Sequence, residues 1–187
     1  MLSARLGHIL DNPLSSLARR IDVDPNTVTL TGLIITAVAA ITLTQNLLAG
    51  GILIIIGGIF DLLDGVIARV NNKATDFGAF LDSVLDRYSD SFLLLGFSVY
   101  FLINDSLTGL FLSICTMIGA LIISYARARA EGLGKKCDTG LMERADRIIL
   151  MVFGALTGWV LPVMWVMAIL THVTVIQRIL YVRKAME

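Results

Sequence analysis

Six stretches of the chain are almost purely apolar, and each is close to the 20 or so residues a helix needs to cross a hydrocarbon core. They fall near 28–48, 50–71, 80–104, 107–130, 144–162 and 163–182. The last two are parted only by Gly158-Trp159-Val160-Leu161-Pro162, which must turn, since otherwise 148–176 would be one over-long helix. Ahead of them, Leu2, Leu6, Ile9, Leu10 and Leu17 form a helical stripe broken near Pro13. Arg5, His8, Asp11 and Asn12 interrupt any continuous apolar core there. The segment therefore reads as an amphipathic helix on the membrane surface, with Arg19 and Arg20 near head groups, and not as a signal peptide. Asp24-Pro25-Asn26-Thr27 reads as the start of the first span, with Pro and an Asn or Thr cap.

The fold class expected is all-α: a polytopic membrane protein with six transmembrane helices around a cytoplasm-facing polar cavity. It divides into the interfacial helix, 1–20, and one membrane domain, 21–187. Composition agrees, with 56% hydrophobic residues and a mean hydropathy of +0.81, well above a soluble domain. Net charge is zero, but the charges are unevenly placed. All fifteen Lys and Arg lie in the N-terminal segment, near 69–87, near 127–147 or at the C-terminal end. The opposite connections, 45–51, 104–108 and 157–162, hold none. This positive-inside pattern puts both termini on the cytoplasmic side. Cys115, in an apolar run, reads as a small core residue and Cys137 as an incidental loop thiol; neither implies a disulfide or a metal site.

Carboxylates change the picture. Asp61, Asp64, Asp82 and Asp86 sit within or at the edge of the second and third spans. Each would cost about 3 kcal/mol at a helix centre even on the mildest scale, so they need a counter-charge. At about 100° per residue, Asp61, Asp64, Gly65, Ala68 and Arg69 share one sector of a helix. Gly78, Asp82 and Asp86 share a face of the next. Facing each other, the two helices would gather four carboxylates with no lysine among them, a hard-oxygen set suited to Mg²⁺ or Mn²⁺. Gly65 and Ala68 leave room for a ligand against the backbone, and Arg69 offers a planar fork to a phosphate. Asp61 lies about 12 Å below Arg69 along a helix, a depth that suits a substrate with one end in lipid and one in water. Asp76 reads as a loop or capping residue, and Asp90, a turn further in, as pairing internally with a Ser, Tyr or Arg.

The pattern D-x2-D-G-x2-A-R-x8-G-x3-D-x3-D, matched at every fixed position from Asp61 to Asp86, resembles the signature of the CDP-alcohol phosphotransferases, integral-membrane enzymes of phospholipid synthesis. The resemblance implies a CDP-linked diacylglycerol or its ether equivalent as donor, with CMP leaving. It implies two divalent cations on Asp61, Asp64, Asp82 and Asp86. It also implies cytidine and diphosphate contacts from Gly65, Ala68, Arg69, Thr75 and Gly78, and nucleotide contacts from Asn26 and Thr27. Asp86 would double as general base for the acceptor hydroxyl, although a metal-bound carboxylate is a weaker base. Members of the family are typically homodimers, and small residues such as Gly96, Ser98 and Gly119-Ala120 permit close helix contacts.

A second polar cluster bears on the acceptor. Arg127, Arg147 and Arg178 have apolar sequence on their membrane side, and with Ser124 they could form a fork for a phosphomonoester. Arg129, Lys135, Lys136, Arg183 and Lys184 read as topology-setting charges at helix ends. The segments 124–132 and 143–147 resemble the branch of the family that uses inositol 1-phosphate, the phosphatidylinositol phosphate and archaetidylinositol phosphate synthases. In that branch Ser124, Arg127, Arg147 and Arg178 would bind the acceptor phosphate. The first alternative keeps the chemistry but uses glycerol 3-phosphate, giving phosphatidylglycerophosphate. The second is a divalent-cation transporter, which the apolar far halves of spans two and three, 52–56 and 92–100, argue against.

Overall fold

A computed structural model describes residues 23–187; the surface helix expected over 1–20 lies outside the described residues. Those residues form six helices: α1 Pro25–Leu43, α2 Leu47–Val70, α3 Asp76–Ile103, α4 Leu107–Gly132, α5 Arg144–Thr157 and α6 Val160–Met186. Helices alternate in direction across short turns. The start of α1, the α2–α3 turn, the α4–α5 loop and the end of α6 thus share one end of the bundle, and every Lys and Arg of the described residues lies toward it. α1 packs on α2 and α3, α4 on α3 and α6, and α5 on α2 and α6.

Each helix start has a local cause. Asp24 caps α1, its carboxylate accepting from the Asn26 amide at 3.0 Å, with Pro25 in the first turn. The cap is thus one residue ahead of the proline, and Asn26 and Thr27 belong to the helix. Asn46 and Thr75 cap α2 and α3 in the same way, at 3.0 Å each. Glu143 and Asp146 form a reciprocal capping box on α5.

Four helices, α1, α2, α4 and α6, are each long and apolar enough to cross a membrane, with mean hydropathies of 1.7 to 2.1. α3 is the longest at 28 residues, but its first 15 carry Asp76, Asp82, Asp86, Arg87 and Asp90. The turn after α5 comes earlier than expected. Gly158 takes a left-handed conformation (φ +75°) that ends the helix at Thr157, and Pro162 falls inside the first turn of α6, where no amide is missed. At 14 residues α5 spans only about 21 Å, less than a hydrocarbon core. Its start is therefore set well below the level of the other helix ends.

Small residues bring the helices together inside the chain. A methyl at Gly96 would meet the Ala40 carbonyl oxygen at 2.5 Å, and one at Gly119 the Thr171 hydroxyl at 2.5 Å. These are contacts of α3 with α1 and of α4 with α6. Ile54, Leu93, Leu94, Phe97, Met151 and Met164 close the core beyond the acidic residues. The cysteines reverse their expected places: Cys137, in the α4–α5 loop, is buried, while Cys115 is exposed on α4. The loop folds inward because Leu141 and Met142 donate to Gln177 and Thr174 of α6, which carries Cys137 and Met142 into the interior.

Candidate active site

The tight turn between α2 and α3 aligns their acidic faces. One carboxylate oxygen from each of Asp61, Asp82 and Asp86 lies within 4.8 Å of the other two, a spacing that suits a shared cation. Asp64 stands beside them, 6% exposed, in the wall of a cavity that Asp82 also lines. Its Oδ2 is buried without a hydrogen-bond partner among the described residues. An orphaned carboxylate oxygen at that depth costs on the order of 1–3 kcal/mol or more, and a bound cation would relieve it. The four residues present therefore fit a divalent-metal centre.

The carboxylates have no lysine among them, as expected, but an arginine that the sequence reading did not assign to them supplies a counter-charge. Arg144, the first residue of α5, reaches into the cluster. Its Nη1 lies 2.6 Å from Asp61 Oδ2 and 2.9 Å from Asp86 Oδ1, and its Nη2 donates to Asp61 Oδ1 at 3.2 Å. One turn on, Arg147 donates to Asp90 at 2.5 Å, and Arg144 Nε approaches Asp90 from 3.6 Å. Asp90 thus pairs with arginine, as expected of it. In the sequence Arg144 reads as the surface end of a full-length span. The shortness of α5 submerges it instead.

Three cavities meet at this cluster. The first, about 550 Å³, lies between the start of α1 and the α2–α3 turn. It is lined by Asn26, Gly65, Ala68, Arg69, Thr75 and Gly78, six of the seven residues expected on the donor side. Thr27 does not line it; that side chain is exposed, and Thr29, two residues further round α1, faces the cavity with Asp24 and Lys73. Gly78 keeps the wall open, since a methyl there would lie 3.1 Å from the Thr75 hydroxyl and 3.4 Å from Asn26 Oδ1. The second cavity, about 590 Å³, is mostly apolar and runs from Asp61, Asp86 and Arg144 along Gly32, Gly57 and Ile148. The third, about 830 Å³, lies between α3, α4, α5 and α6.

Ser124, Arg127, Arg147 and Arg178 all line this third cavity, as does Asp86, which the second cavity also touches. The arginines differ in what already holds them. Arg178, 5% exposed, donates to the backbone carbonyls of Ile123 (2.7 Å) and Thr139 (2.9 Å), tying α6 to α4 and to the loop. Arg147 is 3% exposed and held by Asp90. Arg127 is half-exposed and shared between Glu131 (2.9 Å) and Asp138 (3.0 Å). Of these ties only Arg127–Glu131, an i,i+4 pair on α4, is visible in sequence spacing; the others depend on tertiary packing or on the course of a loop.

Comparison with known proteins agrees with this architecture. The chain is 36% identical over 176 residues to the archaetidylinositol phosphate synthase of Methanothermobacter thermautotrophicus, covering 90% of this chain and 88% of that one. It is 39% identical over 185 residues to the phosphatidylinositol phosphate synthase of Mycobacteroides abscessus, covering 93% and 84%. Among solved structures, the Mycobacterium tuberculosis phosphatidylinositol phosphate synthase with CDP-DAG bound superposes with a TM-score of 0.83 at 31% identity, over 90% of this chain and 92% of that one. The same enzyme in complex with manganese and citrate matches equally well, with a TM-score of 0.83 at 30% identity over 92% and 88%. The family model described as CDP-alcohol phosphatidyltransferase matches residues 23–177, the six helices almost in full, and the chain belongs to that family.

Proposed function

We propose that this membrane enzyme transfers a phosphatidyl-type group from a CDP-activated lipid to inositol 1-phosphate and releases CMP. The observation that carries the reading is the meeting of three chemically distinct cavities at one cluster of carboxylates. The first cavity, with Asn26, Arg69 and the small residues Gly65, Ala68 and Gly78, would take the cytidine and diphosphate. The apolar second cavity would take the start of the lipid chains. The third would take the acceptor, its phosphate facing Ser124, Arg127, Arg147 and Arg178. Relatives named for inositol phosphate products, and a related structure holding CDP-DAG, support this assignment.

Asp61, Asp64, Asp82 and Asp86 would hold two divalent cations, Mg²⁺ or Mn²⁺, whose charge neutralises the diphosphate and the departing CMP. The chain's own groups do the positioning. Arg69 steadies the diphosphate from the first cavity, and the arginines hold the acceptor phosphate away from the reacting hydroxyl. Asp86 borders both the lipid and acceptor cavities, so it is placed to take the hydroxyl proton as the oxygen bonds to the phosphatidyl phosphorus and the bond to CMP breaks. The basic end of the bundle would face the cytoplasm, with turns 44–46, 104–106 and 158–159, free of Lys and Arg, on the far side.

Purified protein supplied with CDP-diacylglycerol, Mn²⁺ and a panel of acceptors tests this. CMP release with inositol 1-phosphate, and not with free inositol, is the expected result. Exclusive use of glycerol 3-phosphate would transfer the reading to phosphatidylglycerophosphate synthesis.

A further inference from the structure

Arg144 is placed where an ordinary arginine would not be. It opens α5, and the start of a helix disfavours a cation. It is set into the acidic cluster of α2 and α3, and its Nη1 contacts two of the three carboxylates that could share a cation. Toward Asp61 the contact is a two-bonded fork, whereas toward Asp86 and Asp90 it is close but not aligned. Asp86 Oδ1, Asp90 Oδ1 and Arg144 Nε are all buried without an aligned hydrogen bond, although each lies within ion-pair distance of an opposite charge. Arg147 hydrogen-bonds Asp90 directly, with its Nε also buried without an aligned partner among the described residues.

We propose that Arg144 is a resident counter-cation of the metal centre: it bridges Asp61 and Asp86 when no divalent ion is bound, and yields both carboxylates when one enters. This rests on the metal centre proposed above. A divalent ion approaches carboxylate oxygens to about 2.0–2.2 Å with twice the charge of a guanidinium, so it outcompetes Arg144 for the same atoms. The displaced guanidinium keeps a partner, since Asp90 lies outside the trio and already faces its Nε. Arg144 lines both the lipid and acceptor cavities, so the exchange needs a side-chain movement between adjoining spaces and no rearrangement of helices. With the bridge in place the metal-free protein keeps Asp61 and Asp86 paired within its membrane domain. The bridge also weakens ion binding, because the ion must displace it.

Mn²⁺ binding to the purified full chain by calorimetry, together with thermal unfolding in chelator and in Mn²⁺, tests the exchange. Arg144→Gln is expected to bind Mn²⁺ on the order of tenfold more tightly than wild type, since no bridge has to be displaced. The variant should also melt several degrees lower in chelator, with most of that loss removed by Mn²⁺. Equal or weaker Mn²⁺ binding in the variant, or the same loss of melting temperature with and without the ion, would overturn the proposal. If the variant does not fold, structures of the wild type in chelator and in Mn²⁺ decide. Arg144 should leave Asp86 only when the ion is present, and a bridge unchanged beside bound Mn²⁺ would refute the exchange alone. Failure of wild type to bind Mn²⁺ at all would remove the metal centre, and this proposal with it.

Discussion

The two sides of the site are built differently. The acidic side comes from two consecutive helices joined by a turn of five residues, so its carboxylates lie within 26 positions of one another. The basic side takes Ser124 and Arg127 from α4, Arg144 and Arg147 from α5 and Arg178 from α6, and the hydrogen bonds of Arg144, Arg147 and Arg178 run to residues 39 to 83 positions away. The first is a local motif that helix periodicity presents on one face. The second exists only once the bundle has closed. On the proposed reading its arginines would carry both binding and folding duties, whereas the aspartates are left partly unsatisfied.

That contrast can be broken by substitution. Its largest expected consequence is on the acidic side: Asp82→Asn or Asp86→Asn should lower CMP release on the order of 10³-fold, with the fold kept. Full activity in either variant, measured as CMP formed at saturating substrates, would deny the carboxylates their role. On the basic side the cost should appear as stability. Arg147→Met leaves Asp90 buried without its hydrogen-bonded partner, faced only by Arg144 Nε at 3.6 Å, and unfolding in detergent should show a loss of about 3 kcal/mol. Adding Asp90→Leu should recover most of that loss, because the remaining cost of the pair is then removed as well.

Arg178→Met should come next, at about 3 kcal/mol, since charge-assisted bonds to the Ile123 and Thr139 carbonyls are lost together. It should raise the acceptor KM more than it changes the donor KM. Gly78→Ala sharpens the comparison from the other side, with the smallest effect. The added methyl crowds Thr75 and Asn26, so the donor KM should rise several-fold while acceptor KM and melting temperature stay near wild type. Equal changes in both KM values would mean that the first cavity is not a separate donor site.

The sequence was most informative where geometry is local. Six helices and the acidic face shared by α2 and α3 follow from periodicity, and six of the seven residues that the resemblance implies for the donor side line one cavity. Thr27 was misplaced because the cap is Asp24, which rotates the first turn so that Thr29 faces the cavity. Cys137 and Cys115 were exchanged because loop polarity does not reveal that Thr174 and Gln177 draw the loop inward. Arg144 is the instructive miss. Counting back from the Gly158 turn would have placed it below the surface, but a proline-based turn assignment lengthened α5 by five residues and left the arginine at the interface.

Mn²⁺ binding to the purified wild-type protein and to Asp82→Asn, measured with stoichiometry, tests the central claim most directly. Convergence of Asp61, Asp64, Asp82 and Asp86 on a pair of ions predicts two Mn²⁺ per wild-type chain and a clear loss of affinity or occupancy in the variant. Undiminished binding in Asp82→Asn, or none in the wild type, would contradict it.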